Sequence, residues 1–201
     1  MRRFVIAICA LALCSLSAWA GTNGPLTVAP PAGITDVLKV DYFSNAHTAG
    51  APDGTLRVTD PGTAAGNICS YIFVFDPQQE MAECCGCLNT PDGLATLSVN
   101  TDLTGNPLTG VTLTTGLIKI LSVSPIGNAC PLPGQTTGSD VIEPAIRAWE
   151  THIQNGNFAI TETSSQDATL SAAEVVRLRN ECFAIVLDGS GRGICSCGVG
   201  D

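Results

Sequence analysis

Charge is what this chain has least of. Asp, Glu, Lys and Arg make up 13% of its 201 residues, about half of the ~25% usual in globular proteins. Cations are the scarcer kind, with nine Lys and Arg against eighteen Asp and Glu, and only Lys39 and Lys119 are lysines. So few scattered cations cannot build the basic footprint that phosphate neutralisation requires, which excludes nucleic acids as partners and disfavours anionic membrane surfaces. Histidine occurs only as His47 and His152, and neither lies in a paired-histidine metal motif or beside a serine elbow. Long apolar runs are also missing beyond residue 20. The longest, Ile68 to Phe75 and Leu117 to Val123, fall well short of the ~18 residues that span a bilayer.

What is present begins with an export signature. Met1-Arg2-Arg3 is a basic n-region, Phe4 to Leu16 is almost wholly apolar, and Ala18-Trp19-Ala20 is a small-x-small cleavage site before Gly21. Residues 1–20 are therefore expected to be a signal peptide and the mature chain to be secreted: periplasmic, at the cell surface or extracellular. Losing Arg2 and Arg3 leaves seven cations against eighteen acids, a net charge of −11, and losing Cys9 and Cys14 leaves eight cysteines.

Residues 21–33 are rich in Gly and Pro and read as an extended N-terminal arm. Period-2 alternation then begins. Leu38, Val40 and Tyr42 alternate with Lys39, Asp41 and Phe43, and Leu56 and Val58 alternate with Thr55, Arg57 and Thr59 between Pro/Asp/Gly turns. Ile68 to Phe75 leaves almost no polar face, as expected for a strand covered on both sides. Leu94 to Val99, Val111 to Thr115 and Leu117 to Val123 continue the series. The fold class is mainly β (α+β), with a β-sandwich-like lobe over 34–126.

Residues 127–140 are Pro-, Gly- and Thr-rich and read as a linker to a smaller region, 141–201, carrying two helices and a terminal hairpin. Pro144 to Gln154 is the first expected helix, with Ile146, Trp149 and Ile153 at i, i+3 and i+7 and Trp149 as its core anchor. Phe158 to Thr163 alternates as a strand. The second helix starts at a capping box, Ser171-Ala172-Ala173-Glu174, with Leu170 stapled onto Val175. Its apolar face carries Val175, Leu178 and Cys182. Phe183 to Leu187 is expected to form a strand, paired through the glycine-rich turn at 188–193 with Ile194 to Cys197.

Cys69, Cys84, Cys85, Cys87, Cys130, Cys182, Cys195 and Cys197 are an even set in an exported chain, so disulfides are the expected state. Four bridges admit 105 connectivities. Cys195 and Cys197 share one face of a strand, and closing them on each other, or Cys84 on adjacent Cys85, needs strained geometry. The tail is therefore expected to be stitched to the Cys84-Cys85-Gly86-Cys87 loop. A zinc site from Cys84, Cys87, Cys195 and Cys197 is disfavoured by the single residue between the last pair and by oxidation on export. A redox C-x-x-C lacks its βαβ context.

Other chemistry is thinly represented. Both histidines are expected to be exposed and solvated. The glutamates Glu80, Glu83, Glu143, Glu150, Glu162, Glu174 and Glu181 are dispersed, and no pair stands out. Asn100 to Asn106 has oxygen ligands at alternating positions and a sixth-position glycine, but no closing glutamate for calcium, and turn chemistry accounts for the same residues. Gly189, Gly191 and Gly193 are followed by a cysteine-bearing strand rather than by the helix a phosphate cradle needs. No catalytic residue, cofactor or metal is assigned.

Several elements do form a recognisable set: Cys84-Cys85-Gly86-Cys87 followed by Thr90-Pro91-Asp92-Gly93-Leu94, then Leu97-Ser98-Val99-Asn100, Asn106-Pro107-Leu108-Thr109-Gly110, and the terminal Gly189-Ser190-Gly191-Arg192-Gly193-Ile194-Cys195-Ser196-Cys197-Gly198. Together they resemble a family of uncharacterised secreted, cysteine-rich bacterial proteins. The resemblance spans most of the mature chain and implies export and a shared scaffold, with no activity attached. The leading expectation is a non-enzymatic structural or cell-surface protein, an adhesin-like or filament subunit whose arm adds a strand to a neighbour's sheet. The alternative is a secreted binding module for a glycan, a peptide or calcium, marked by a concave polar pocket. The third is an enzyme, which would need a pocket gathering His47 or His152 with carboxylates.

Overall fold

The computed structural model describes residues 34–135 and 141–198. The expected signal peptide, the N-terminal arm and part of the 127–140 segment lie outside the described residues.

Two antiparallel sheets face each other. The first has five strands: β1 (Leu38–Ser44), β3 (Ile68–Phe75), β4 (Met81–Asn89), β6 (Thr115–Val123) and the short β9 (Gln166–Asp167), in the order β4-β3-β6-β1-β9. The second has four: β2 (Thr55–Thr59), β5 (Leu94–Ser98), β7 (Arg147–Ile153) and β8 (Ile160–Ser164), in the order β5-β2-β7-β8. One α-helix, α1 (Ala172–Asp188), packs on the outer face of the first sheet. The disulfide-stapled, mainly β class expected from the sequence is the observed one.

β3 shows why a continuous apolar run is central. Ile68, Ile72 and Val74 point between the sheets with Phe43, Leu56, Val58, Leu97, Ile118 and Ile120. Cys69, Tyr71, Phe73 and Phe75 point the other way, under Val175, Leu178, Cys182 and Ile185 of α1. All eight residues of the strand are buried.

Four expectations from local pattern are corrected. The segment at 144–154 is strand β7, paired with β2 and β8. Its inward positions, Ala148, Glu150 and His152, alternate as a strand requires, but two of them are polar, so the period-2 signal was masked and the spacing of Ile146, Trp149 and Ile153 read as helical. Trp149, opposite Arg57, is half-buried on the outward side. Phe183 to Leu187 extends α1, because Val175, Leu178, Cys182 and Ile185 continue one buried stripe at i, i+3, i+7 and i+10. The residues at 193–197 make no hairpin with it. Val111 to Leu113 precede β6 without joining a strand. Nor does the 127–140 segment divide the fold, since β7 and β8 complete the second sheet and β9 the first. α1 does begin where the capping box places it: Ser171 Oγ accepts from the Glu174 N–H at 3.1 Å, with Leu170 and Val175 both buried beside each other's cluster.

The Cys84-Cys85-Gly86-Cys87 segment is strand β4 rather than a loop. Alternation sends Cys84 to one face, where it bonds Cys182 of α1, and Cys85 and Cys87 to the other, where they bond Cys195 and Cys197. Cys69 bonds Cys130. The tail is thus stitched to this segment as the spacing implied. It also lies along the β4 edge, with Cys84 N–H donating to Gly193 O at 2.9 Å and Cys195 N–H to Cys84 O at 3.2 Å, which covers an edge otherwise open to pairing. Four disulfides fit a chain that matures in an oxidising compartment, and no helix among the described residues is long and apolar enough to cross a membrane.

Candidate ligand-binding cleft

The two sheets come together where β9 leaves β1. β9 pairs only with Lys39 and Val40, so the Asp41–Ser44 stretch of β1 is free to meet β7. Ser44 Oγ and Asn45 Nδ2 both donate to Ile153 O at 2.7 Å. Beside this junction a cleft of about 440 Å³ opens between β1 and β8.

Strand alternation delivers its residues. In β1, Asp41 turns inward and Tyr42 outward; in β7, Glu150 and His152 turn inward, opposite Thr163 and Thr161 of β8. Asp41, Tyr42, His152, Thr161 and Thr163 line the cleft, with the amides of Gln154 and Gln166 at its margin. Glu150 lies deeper.

His152 is buried, 3% exposed, which corrects the expectation of a solvated side chain. Its Nδ1 lies 3.1 Å from Tyr42 O, and because a carbonyl only accepts, Nδ1 carries the proton. Nε2 lies 2.8 Å from Thr163 Oγ1 and 3.4 Å from Asp41 Oδ1. In the neutral ring Nε2 therefore accepts from the threonine hydroxyl. The imidazole also stacks on the Tyr42 ring, centroids 4.2 Å apart and planes 20° from parallel. Tyr42 itself is 50% exposed. The result is an aromatic surface held rigid from behind.

The carboxylates are less satisfied. Asp41 Oδ1 accepts from the Tyr42 N–H at 2.9 Å, but Oδ2 is buried without a hydrogen-bond partner, as are both carboxyl oxygens of Glu150. Burial, reinforced by the nearby Asp41, Asp53 and Glu162 carboxylates, holds Glu150 well above the usual carboxylate range.

The other residues singled out from the sequence lie elsewhere. His47 is exposed, donating its N–H to Asn100 Oδ1 and placing Nε2 2.9 Å from Thr104 Oγ1. In the Asn100 to Asn106 segment, Asp102 accepts from Ser98 N–H and Ser196 O–H, and the nearby Asp53 accepts from Ser98 O–H and Asn100 N–H, so these carboxylates serve the loop's own donors. Glu83 is buried in β4, one oxygen accepting from Asn106 N–H at 2.8 Å and the other unpartnered, and burial pushes it up to about 7. Glu174 binds Arg177 and Lys119, Glu181 binds Arg177, Glu162 binds Arg57, Glu143 accepts from Ser124, and Glu80 is exposed. The sulfurs of Cys85, Cys87 and Cys197 gather within 4.8 Å of one another, yet each belongs to a disulfide and has no thiolate to offer a metal.

The chain matches no family model, no curated protein and no solved structure. Asp41 offers an acceptor, the threonines and glutamines offer donors and acceptors, and Tyr42 offers an apolar face. His152, oriented through Nδ1 and directed at a hydroxyl through Nε2, is also placed as a base for Thr163. Sequence reasoning missed Asp41, Tyr42, Glu150 and Thr163 as site residues. The available signal was the Glu150-Thr151-His152 run, two polar residues at i and i+2 inside a segment otherwise able to form a strand.

Proposed function

We propose that this protein is a secreted binding module that holds a small polyhydroxylated ligand, of sugar type, in the cleft between β1 and β8. The observation that carries this reading is the half-exposed Tyr42 ring, backed by His152, on a wall that sets threonine, serine and glutamine side chains beside the apolar Val40 and Leu117. Sugars present C–H faces that pack on aromatic rings and hydroxyls that pair with mixed donor–acceptor groups. The cleft's volume lies in the ~300–1,000 Å³ range of small-molecule sites. Calorimetric titration with a panel of mono- and disaccharides is expected to find a binder whose affinity falls at least about ten-fold in Tyr42→Ala. A panel without binders, or a binder indifferent to Tyr42→Ala, would contradict the reading.

A second reading, assembly into a surface structure, is favoured by β8. It is an edge strand with all five residues exposed, carries Ile160, and lacks the lysine or proline that commonly blocks edge pairing. Sedimentation of the mature protein distinguishes the two, since assembly requires concentration-dependent association and binding in the cleft does not.

A further inference from the structure

Resting on the assembly reading, we infer that β8 receives the N-terminal arm of a second copy of this chain, with residues 25–29 of that copy pairing antiparallel along Ile160–Ser164. β8 is open in its backbone as well as in its side chains. Gln154 N–H donates to Ala159 O at 2.8 Å and Ser165 N–H to Ala148 O at 3.0 Å. With Thr163 opposite Glu150 and Thr161 opposite His152, these bonds turn the peptide groups of Thr161 and Thr163 toward β7, and those of Ile160, Glu162 and Ser164 away from the sheet. Among the described residues, Ser164 O accepts from the Gln166 side-chain amide at 3.2 Å on that side, and the backbone groups of Ile160 and Glu162 have no partner.

The other edges are met from within the chain. The tail lies along β4. On β5, Ser98 N–H donates to Asp102 Oδ2 at 2.7 Å, and Gly198 lies so close that an added Cβ would come within 2.9 Å of Thr96 O. On β1 beyond β9, Tyr42 N–H goes to Asp41 and Tyr42 O faces His152 Nδ1.

The arm matches what β8 leaves open. Pro25-Leu26-Thr27-Val28-Ala29 is a five-residue stretch with alternating Leu, Thr and Val between Gly24 and Pro30-Pro31, the same length as β8. With Thr27 opposite Glu162, these two residues exchange both backbone bonds, and Ala29 does the same with Ile160. Pro25, which has no N–H to give, falls opposite Ser164, whose carbonyl Gln166 already occupies. Leu26 and Val28 then stand beside Thr163 and Thr161 on the cleft side of the sheet, toward the apolar Val40 and Leu117. Backbone pairing supplies the affinity and these two side chains the specificity, as in other strand additions.

A second copy fits better than the chain's own arm. Ile34 enters beside the Ser164 end of β8, since Asp36 N–H donates to Asp167 Oδ1 at 3.0 Å and Ile146 N–H to Asp36 O at 3.1 Å. An arm of the same chain therefore runs parallel to β8. Every ladder between the described strands is antiparallel, and antiparallel pairing is the more stable per residue. A copy that gives its arm to one neighbour and takes an arm from another makes a head-to-tail contact, which closes into a ring or extends as a filament. A seated arm also covers the β8 side of the cleft, so arm and sugar compete for it.

The test is sedimentation velocity of the mature, oxidised protein over a concentration series, with hydrogen exchange read at the Ile160 and Glu162 amides. Thr27→Pro leaves the described fold untouched and removes the N–H that meets Glu162 O. Association and amide protection are expected to rise together with concentration, and Thr27→Pro should weaken both at least about ten-fold. A synthetic peptide of residues 23–31, added to the Thr27→Pro variant, should restore the protection; a peptide without effect would count against the pairing. Association undiminished in Thr27→Pro would overturn the arm's role while leaving the assembly reading intact. Protection that is lost in Thr27→Pro but does not depend on concentration would put each arm on its own chain and overturn the exchange between copies. Neither association nor protection at any concentration would overturn both.

Discussion

Two buried glutamates govern how this molecule should respond to pH. Glu83 is pushed up to about 7 and Glu150 is held well above its ordinary value, both first by burial. A raised folded-state pKa means that the native chain holds the proton more tightly than the unfolded chain. Stability from these groups is therefore complete below the unfolded value near 4.5 and is lost as pH rises, for Glu83 across about 4.5 to 7. Glu174 works in the opposite sense. Its hydrogen bond with Arg177, aided by Lys119, holds it down to about 2, so its contribution is present above 4.5 and lost as pH falls toward 2. Maximal stability is expected in mildly acidic solution, with a lower melting temperature at pH 8 than at pH 5. Glu83→Gln should raise stability at pH 8 by on the order of 1–2 kcal/mol and flatten the decline, because the neutral amide removes the cost of ionising a buried acid. Melting curves from pH 4 to 9 check this; an unchanged slope in the variant would contradict it. Little of this is visible in the sequence. Glu83 and Glu150 look like any other surface acids until the strands that bury them are known, whereas Ser171 and Glu174 announced a helix start because capping is a local interaction among near neighbours.

Strands and helix differ in the same way in how far local pattern reaches. β3 was legible because both its faces meet apolar layers, and α1 because a capping box fixes its start. β7 was not, since its inward face carries the polar Glu150 and His152, the second of which lines the cleft and the first of which lies behind it; buried polar residues break the alternation on which pattern reading relies. β4 was missed for a different reason. Its alternation is written in cysteine, glycine and glutamate, and its burial depends on a tail more than a hundred residues away. That tail needs Gly193, which adopts φ +77° where it turns onto β4, and where an added Cβ would come within 2.5 Å of Ile185 Cγ2. Gly193→Ala combines a left-handed backbone with a clash and should cost about 2 kcal/mol or more. Chemical denaturation should show a lower midpoint, with α1 retained in the far-ultraviolet spectrum; an unshifted midpoint would mean that the tail is not held as described.

Across the molecule, covalent links bind the parts into one unit. Cys84–Cys182 fixes α1 to β4, Cys85–Cys195 and Cys87–Cys197 fix the tail across loops of sequence separation 110, and Cys69–Cys130 fixes the segment after β6. Replacing Cys87 and Cys197 together by serine should destabilise the fold by about 2–4 kcal/mol, chiefly by freeing the unfolded chain in the entropic account. Unfolding in denaturant with and without the pair measures it, and a difference below about 1 kcal/mol would contradict this role. The even cysteine count and export signature made a stapled scaffold legible from the sequence, and the tail-to-cluster stitching followed from the geometry of neighbouring thiols. The cleft did not follow, because it exists only where β1, β7 and β8 converge. The most direct test of its role is nuclear magnetic resonance of the isotope-labelled protein titrated with the best-binding sugar. Saturable shifts centred on Tyr42, His152 and Thr163, and lost in Tyr42→Ala, are the predicted result; saturable shifts centred elsewhere, or unchanged in that variant, would contradict a binding function for this cleft.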